Sequence, residues 1–109
     1  MTGAEAVAEC LKTQGVDLIF GIRGLHITSV AAAAKRRGIR FIEVRNEQSA
    51  AFMADAYARV TGKVGVVLAG TGAGAAATMV GIQEAYCSSS PVLLLTSQIE
   101  QAHLHKGWG

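Results

Sequence analysis

The stretch RFIEVRNEQSAAFMADAYARVTGKVGVVLAGTGAG, residues 40–74, decides the fold because it places two apolar runs around one amphipathic segment. Residues 40–44 and 64–69 predict strands, and the second run is apolar enough to be covered on both faces. Asn46 is a preferred N-cap and predicts a helix that continues to about Thr61, where Gly62 ends it. A strand, a helix and a strand in this order predict a right-handed crossover between parallel strands.

The same alternation continues on both sides of this unit. Thr2 and Glu5 form a capping box before a first helix, for which the spacing predicts an apolar face of Ala6, Val7, Cys10 and Leu11 and an end at Gly15. The other predicted elements are a strand at 16–20, a turn at 21–24, a helix at 27–37 stopped by Gly38, a glycine-rich turn at 70–74, a helix to about Cys87 and a strand at 92–96. The predicted fold class is α/β, an open parallel sheet with helices on both faces.

The composition describes a small globular unit. Half of the 109 residues are hydrophobic and 17% are charged, which is too apolar for a disordered segment. The net charge of +2 gives no reason to expect nucleic acid or a membrane surface as a partner. The one basic cluster, Lys35-Arg36-Arg37, lies at the predicted end of a helix, where cations complement the helix dipole.

The cysteines and termini give expectations about compartment and completeness. Cys10 and Cys87 have no metal-type spacing, so we expect buried or half-buried thiols in a reducing compartment. No signal-peptide pattern or membrane-length apolar run is visible, and a cytoplasmic location follows by default. Residues 97–109 show no periodicity and no stop signal, so we expect the domain to be incomplete at its C-terminus. Trp108 is then an exposed tail residue or part of a missing element.

Three segments could carry chemistry. Glu47 stands where a strand ends and a helix begins, which suits either a ligand site or simple complementation of the helix dipole. Gly72, Gly74 and Ala77 fit the G-x-G-x-x-A dinucleotide fingerprint and could approach a phosphate, although such glycines often serve close packing alone. The acidic partner of that fingerprint is poorly placed, since Glu84 is too early and Glu100 too late.

Histidines give a weaker signal. His26 follows the first strand and could line a site or be an ordinary surface side chain. His103 and His105 lack further metal ligands nearby and are interpreted as tail residues. The chain has no G-x-S-x-G elbow, and Lys63 precedes its strand, so a Walker lysine is missing.

Taken together, these segments resemble the acetolactate synthase, pyruvate oxidase, benzoylformate decarboxylase and benzaldehyde lyase group of thiamine-diphosphate enzymes. The resemblance covers nearly the whole chain and is most specific over residues 43–63, EVRNEQSAAFMADAYARVTGK. It extends through residues 2–6 and 15–21, the glycine-rich turn, residues 91–96 and Gln98. It implies that residues 1–109 are the N-terminal pyrimidine-binding domain of such an enzyme, incomplete at the C-terminus.

The resemblance also implies a mechanism and a set of site residues. The family counterpart of Glu47 hydrogen-bonds a pyrimidine nitrogen of thiamine diphosphate and promotes the imino tautomer that generates the ylide, which attacks a carbonyl such as that of a 2-keto acid. Glu47 is therefore the implied catalytic residue, and the glycine-rich turn would lie near the aminopyrimidine. The implied cofactor contacts come from Arg23, Gly24, Glu47, Gly72, Ala73 and Ala77. The residues implied to line the substrate cavity are His26 and Gln98.

The implied partners lie outside the chain. Family members hold the cofactor between this domain and a diphosphate-binding domain of a second subunit, which binds Mg²⁺, so a homodimer or homotetramer is implied. Flavin (FAD) binding stays open, and residues 1–109 alone are expected to be inactive and aggregation-prone.

Two alternatives remain. The chain has Arg23 and Ala73 where the family commonly has proline, Ala77 where it has asparagine, and Asn46 where it has histidine. Such departures favour, as one alternative, a non-catalytic interaction module that keeps the fold. The other alternative is a Rossmann-type dinucleotide binder.

Overall fold

The structure, a computed structural model, describes residues 1–107, and Trp108 lies outside the described residues. Four helices alternate with four strands in the predicted order, and a single turn of 3-10 helix follows the last strand. Their bounds are α1 Gly3–Thr13, β1 Leu18–Gly21, α2 Thr28–Arg36, β2 Arg40–Glu43, α3 Glu47–Thr61, β3 Gly65–Ala69, α4 Ala73–Cys87, β4 Val92–Thr96 and the 3-10 turn Gln101–His103.

The strands form one parallel sheet in the order β2-β1-β3-β4. Leu18 of β1 is in register with Arg40 of β2, and Gly65 of β3 is in register with Val92 of β4. All five residues of β3 are buried, which confirms the prediction that this strand is covered on both faces. The α/β class with a parallel sheet is thus confirmed.

The two faces of the sheet carry two separate cores because successive strand residues point to opposite sides. On one face, Ile19, Val66 and Leu68 pack with small side chains of α1 and α2. On the other face, Phe20 and Val67 pack against the buried alanines of α3, Ala50, Ala51 and Ala54. Helix α4 lies on the same side as α3 and contributes Ile82 to that core.

Glycines let the second layer approach the sheet closely. A Cβ on Gly65 would lie 2.1 Å from the backbone oxygen of Ala54, and a Cβ on Gly81 would lie 2.5 Å from the Cβ of Ala51. Helix α3 is therefore packed backbone to backbone on β3 and against α4. This contact fixes where the N-terminus of α3 lies relative to the sheet.

An arginine joins α3 to α4 at the other end of the two helices. The Arg59 guanidinium donates to Asp55 at 2.7 and 3.0 Å and to Glu84 at 2.9 Å. The Arg59 hydrogen bonds lower the pKa of Asp55, although burial of that carboxyl acts in the opposite direction. Asp55 is only 4% exposed, so the pair shields a carboxylate that would otherwise lack compensation.

The helix caps follow the sequence rules. Thr2 Oγ1 accepts from the Glu5 nitrogen at 3.2 Å, and Glu5 Oε2 accepts from the Thr2 nitrogen at 2.8 Å, which confirms the capping box. Gly62 adopts φ +69° at the end of α3, as its predicted role requires. Element ends match the prediction or differ from it by one or two residues. The largest differences are that β1 begins at Leu18 and not at residue 16, and that α4 begins at Ala73, inside the predicted turn.

Two predictions about burial are wrong. Cys10 and Cys87 are both exposed free thiols, not buried or half-buried ones. On α1, Val7 and Cys10 face outward, and Ala8 and Leu11 are the buried residues. The reason is that the side of α1 that meets the sheet and α2 is centred on Ala8 and Leu11, which the spacing of apolar residues alone did not locate.

Within residues 1–107, no helix is both long and apolar enough to cross a membrane.

Candidate active site

The strand order places a switch point between the carboxyl ends of β1 and β3. After β1, the chain crosses one face of the sheet through α2 and enters β2, at the edge next to β1. After β3, it crosses the other face through α4 and enters β4, at the opposite edge of the sheet. Such a point, where neighbouring strands lead in opposite directions, is the usual ligand site of open α/β sheets. The two loops nearly touch there, since a Cβ on Gly24 would lie 3.9 Å from the Gly70 Cα.

Glu47 is the first residue of α3 and lies at this end of the sheet. The preceding residue, Asn46, caps the helix through its side-chain oxygen, which accepts from the Gln48 nitrogen at 2.8 Å. The Glu47 side chain is half-buried and reaches the first turn of α4, where a Cβ on Gly74 would lie 3.1 Å from Glu47 Oε1. The carboxylate thus lies beside the N-terminal turns of two helices, whose dipoles are positive at that end.

No hydrogen bond or ion pair joins the Glu47 carboxylate to another side chain or amide of residues 1–107, in contrast to the carboxylates of Glu5, Glu9, Asp17, Glu43, Asp55, Glu84 and Glu100. Glu47 is half-buried, so water can still reach the side chain, and no protein group of the described residues competes for its carboxylate. Glu47 is therefore available to a ligand in a way that those other carboxylates are not.

The glycine-rich turn supplies the neighbouring wall. Gly72 precedes α4 with φ +66° and ψ −122°, a conformation that side chains rarely adopt. Ala73 begins the helix and is exposed, and Ala77 lies one turn on and is half-buried. The side chains at these positions of the turn and first helical turn are small.

The other implied site residues follow the same ends of the strands but differ in their contacts. Arg23 donates to both oxygens of Glu43, and this lowers the pKa of Glu43. His26 is exposed in the loop between β1 and α2. Gln98 follows β4, and its side-chain oxygen accepts from the Ile99 nitrogen at 2.9 Å. None of the hydrogen bonds found among residues 1–107 links His26 or Gln98 to Glu47.

One contact and one residue of this end were not foreseen from the sequence. Gly74 was selected only as part of the dinucleotide fingerprint, and its contact with Glu47 arises from the packing of α4 against α3. The Ser97 hydroxyl is buried without a hydrogen-bond partner among the described residues, directly after β4. A polar residue immediately after a predicted strand of a parallel sheet was the available signal for Ser97.

The histidines of the tail show no metal site. His103 lies 3.7 Å from Glu100. Within residues 1–107, no three His, Cys, Asp or Glu side chains are grouped so that they could hold a metal ion.

The open parallel α/β sheet with its switch point between β1 and β3 defines the structural class, and comparison with known proteins defines the family. Residues 1–108 match the family model described as thiamine pyrophosphate enzyme, N-terminal TPP binding domain. The chain therefore belongs to this family of thiamine-diphosphate enzymes.

Individual relatives agree with the family match. The chain is 42% identical over its full length to a Pseudomonas aeruginosa protein named "Probable 2-ketoarginine decarboxylase" and 44% identical, over 92% of its length, to acetolactate synthase of Bacillus subtilis. It is 42% identical, over 85% of its length, to 2-hydroxyacyl-CoA lyase 2 of Mus musculus. It spans 20%, 18% and 15% of those three proteins respectively, so about a fifth of their length or less.

The residues present fit an aminopyrimidine. A ring of that kind offers a nitrogen to a carboxyl group and needs a flat, uncrowded space. Among residues 1–107, no group forms a hydrogen bond or ion pair with the Glu47 carboxyl group. The glycine at position 74 avoids a side chain that would crowd this carboxyl group.

Proposed function

We propose that this chain supplies the half of a thiamine-diphosphate site that binds and activates the aminopyrimidine, in an acetolactate synthase-like lyase or carboligase. The observation that carries the proposal is the half-buried, unpartnered carboxylate of Glu47 at the switch point of the sheet. The substrate class that we propose is a 2-keto acid or a related carbonyl compound, in keeping with the names of the relatives.

The role of each residue follows from its position. Glu47 would hydrogen-bond the pyrimidine ring nitrogen, as a carboxyl group positioned for general acid–base chemistry can. Gly72, Ala73 and Ala77 form the wall against which the ring lies, and Gly24 keeps the facing loop close to Gly70. When bound, thiamine diphosphate supplies the carbanion chemistry that stabilises negative charge next to a carbonyl carbon.

Three further contacts belong to the same proposal. Arg23 would contact the cofactor through its backbone, because its guanidinium is occupied by Glu43. His26 and Gln98, which follow the ends of β1 and β4, would line the substrate space. Both side chains are exposed and could turn toward a substrate without breaking a contact to a neighbouring element.

The proposal also extends to the rest of the molecule. Relatives about five times longer than the chain support a role for residues 1–109 as part of a pyrimidine-binding domain that continues beyond them. A diphosphate-binding domain with Mg²⁺ would come from a second subunit of a homodimer or homotetramer, and residues 1–109 alone would not catalyse the reaction. Two exposed free thiols favour a reducing compartment such as the cytoplasm.

A dinucleotide-binding role has less support. Its fingerprint needs a free acidic residue at the end of the following strand. Glu84 lies within α4 and is bound to Arg59 at 2.9 Å, and Glu100 lies beside His103. Neither carboxylate is placed for a ribose.

The decisive experiment replaces Glu47 with glutamine in the protein at its full natural length. Hydrogen–deuterium exchange at C2 of bound thiamine diphosphate should slow by about 100-fold or more, because proton transfer by a positioned group contributes at least that much. Glu9→Gln is the matched control. The Glu9 carboxylate on α1 accepts a hydrogen bond from Arg37 at the end of α2 and does not contact Glu47. Exchange within threefold of wild type in Glu47→Gln, with cofactor bound, would contradict the catalytic role.

The non-catalytic alternative has its own test. Thiamine diphosphate and Mg²⁺ at 100 times a dissociation constant should stabilise the protein by about 2.7 kcal/mol through mass action. A melting temperature that does not respond to high concentrations of both would favour an interaction module.

A further inference from the structure

A cavity lies on the face of the sheet away from α3, between α2 and the edge strand β2. Its volume is about 480 Å³, within the range of small-molecule sites. Its lining does not include Glu47 or the glycine-rich turn, because α2 covers the face of the sheet opposite to α3 and β2 is the outermost strand. Arg23 is the one proposed cofactor contact that also lines it; its guanidinium is held there by Glu43, whereas its proposed contact to the cofactor is through the backbone.

The floor of this α2–β2 cavity is apolar. Helix α2 contributes Ala31 and Ala32, which share one face with Thr28 and Lys35 at helical spacing. The strand side contributes Ile39, which is 2% exposed, and the half-buried ring of Phe41. A flat apolar group could therefore lie between the alanine face of the helix and the phenyl ring.

The rim of the cavity carries excess positive charge. Arg23 and Glu43 neutralise each other, but Lys35 and Arg40 form no ion pair with any carboxylate of residues 1–107. Three cations and one carboxylate line the cavity, so its formal charge is +2 (3 − 1).

The basic cluster at the end of α2 is thus divided between two roles. Arg36 and Arg37 lie 3.9 and 2.7 Å from Glu5 and Glu9 of α1, where they join the two helices. Complementation of the helix dipole was the expectation for all three basic residues of the cluster. It does not explain why the uncompensated member, Lys35, lines a cavity together with Arg40.

We propose that the α2–β2 cavity binds a small organic anion with a flat apolar body, with Lys35 and Arg40 at its charged group and Phe41 against its ring. The charge of the rim favours an anion over a neutral or cationic ligand. The alanines of α2 admit a ring because larger side chains there would fill the space.

The probe is 4-fluorophenyl phosphate, followed by ¹⁹F NMR line broadening on the full-length protein with thiamine diphosphate and Mg²⁺ already added, so that the cofactor site is filled. The expected result is saturable binding that weakens as salt is raised. The neutral 4-fluorobenzyl alcohol should bind at least fivefold more weakly, and inorganic phosphate should compete only poorly, because each lacks one half of the recognised chemistry.

Two variants locate the site. Lys35→Gln combined with Arg40→Gln should weaken binding of the probe at least fivefold, whereas Lys12→Gln combined with Lys106→Gln removes the same charge from exposed positions away from the cavity and should change it less than twofold. Ala32→Leu should block binding by filling the groove, with the melting temperature as a check on folding. Three outcomes would each overturn the proposal. They are equal weakening in both double variants, full binding to a folded Ala32→Leu protein, and no saturable binding to wild type.

Discussion

Replacing Gly65 with alanine should force α3 away from the sheet. A Cβ at this position would lie 2.1 Å from the backbone oxygen of Ala54 and 2.7 Å from its carbonyl carbon. Since Cβ contacts below 3.0 Å are essentially never seen, the two backbones would have to separate by at least 0.9 Å (3.0 − 2.1). No side-chain rotation can relieve the overlap, because the atoms that the new Cβ would meet belong to the main chain of α3.

The expected cost is about 3 kcal/mol, at the upper end for overpacking, because the backbone itself must move. In a protein longer than about 150 residues, 1 kcal/mol shifts the melting temperature by about 2–4 °C or less, so a fall of about 6 °C is expected. The backbone angle of Gly65 lies outside the left-handed region, so conformational strain adds nothing to the effect. Glu47 begins the displaced helix, so affinity for thiamine diphosphate should fall as well.

Differential scanning fluorimetry of the full-length protein measures the effect, and Gly70→Ala is the matched control. Gly70 follows the other end of β3, and a Cβ added there would have no atom within 4 Å. Its alanine variant should melt within about 2 °C of wild type. A Gly65→Ala protein that melts as the control does would refute the reasoning that the α3–β3 contact is rigid.

Three further predictions concern the site and its support. Gly74→Ala places a Cβ 3.1 Å from Glu47 Oε1 and should displace that carboxyl group, which slows C2 exchange of bound cofactor about tenfold. The melting temperature should be kept or raised, because alanine favours a helix more than glycine does. Unchanged exchange would argue against this contact. Asp55→Asn should cost about 2 kcal/mol in urea unfolding, because it weakens a charge-assisted hydrogen bond to Arg59; a cost below about 0.5 kcal/mol would show the pair to be unimportant. The folded-state pKa of Asp55 lies below its ordinary value of 3.8, so its stabilising effect is present above that pH and is lost as the pH falls through the folded-state pKa. Melting temperatures of wild type and Asp55→Asn should therefore converge on acidification below about pH 4, and a constant difference down to about pH 2 would exclude this linkage.

Local signals in the sequence located the elements because their causes are local. The capping box at Thr2, the N-cap at Asn46 and the left-handed glycine at Gly62 each depend on a few neighbouring residues, and each was confirmed. The continuous apolar run of β3 identified a strand covered on both faces for the same reason.

Burial on α1 could not be predicted in this way. Ala6, Val7, Cys10 and Leu11 share a helical periodicity, yet only Leu11 of these is buried. The direction of the buried side is set by where α2 and the sheet lie, which is a property of the packed molecule. The exposure of Cys10 has the same cause.

The sequence by itself therefore determined the class of fold, the order of its elements and the position of Glu47 at the start of a helix. Only the tertiary structure decided that Glu47 is left without a protein partner beside Gly74, that Arg23 is occupied by Glu43, and that Lys35 and Arg40 share a cavity. The physical reason is that caps and strand periodicity arise within a few residues, whereas the pairing of side chains depends on contacts between segments far apart in the chain.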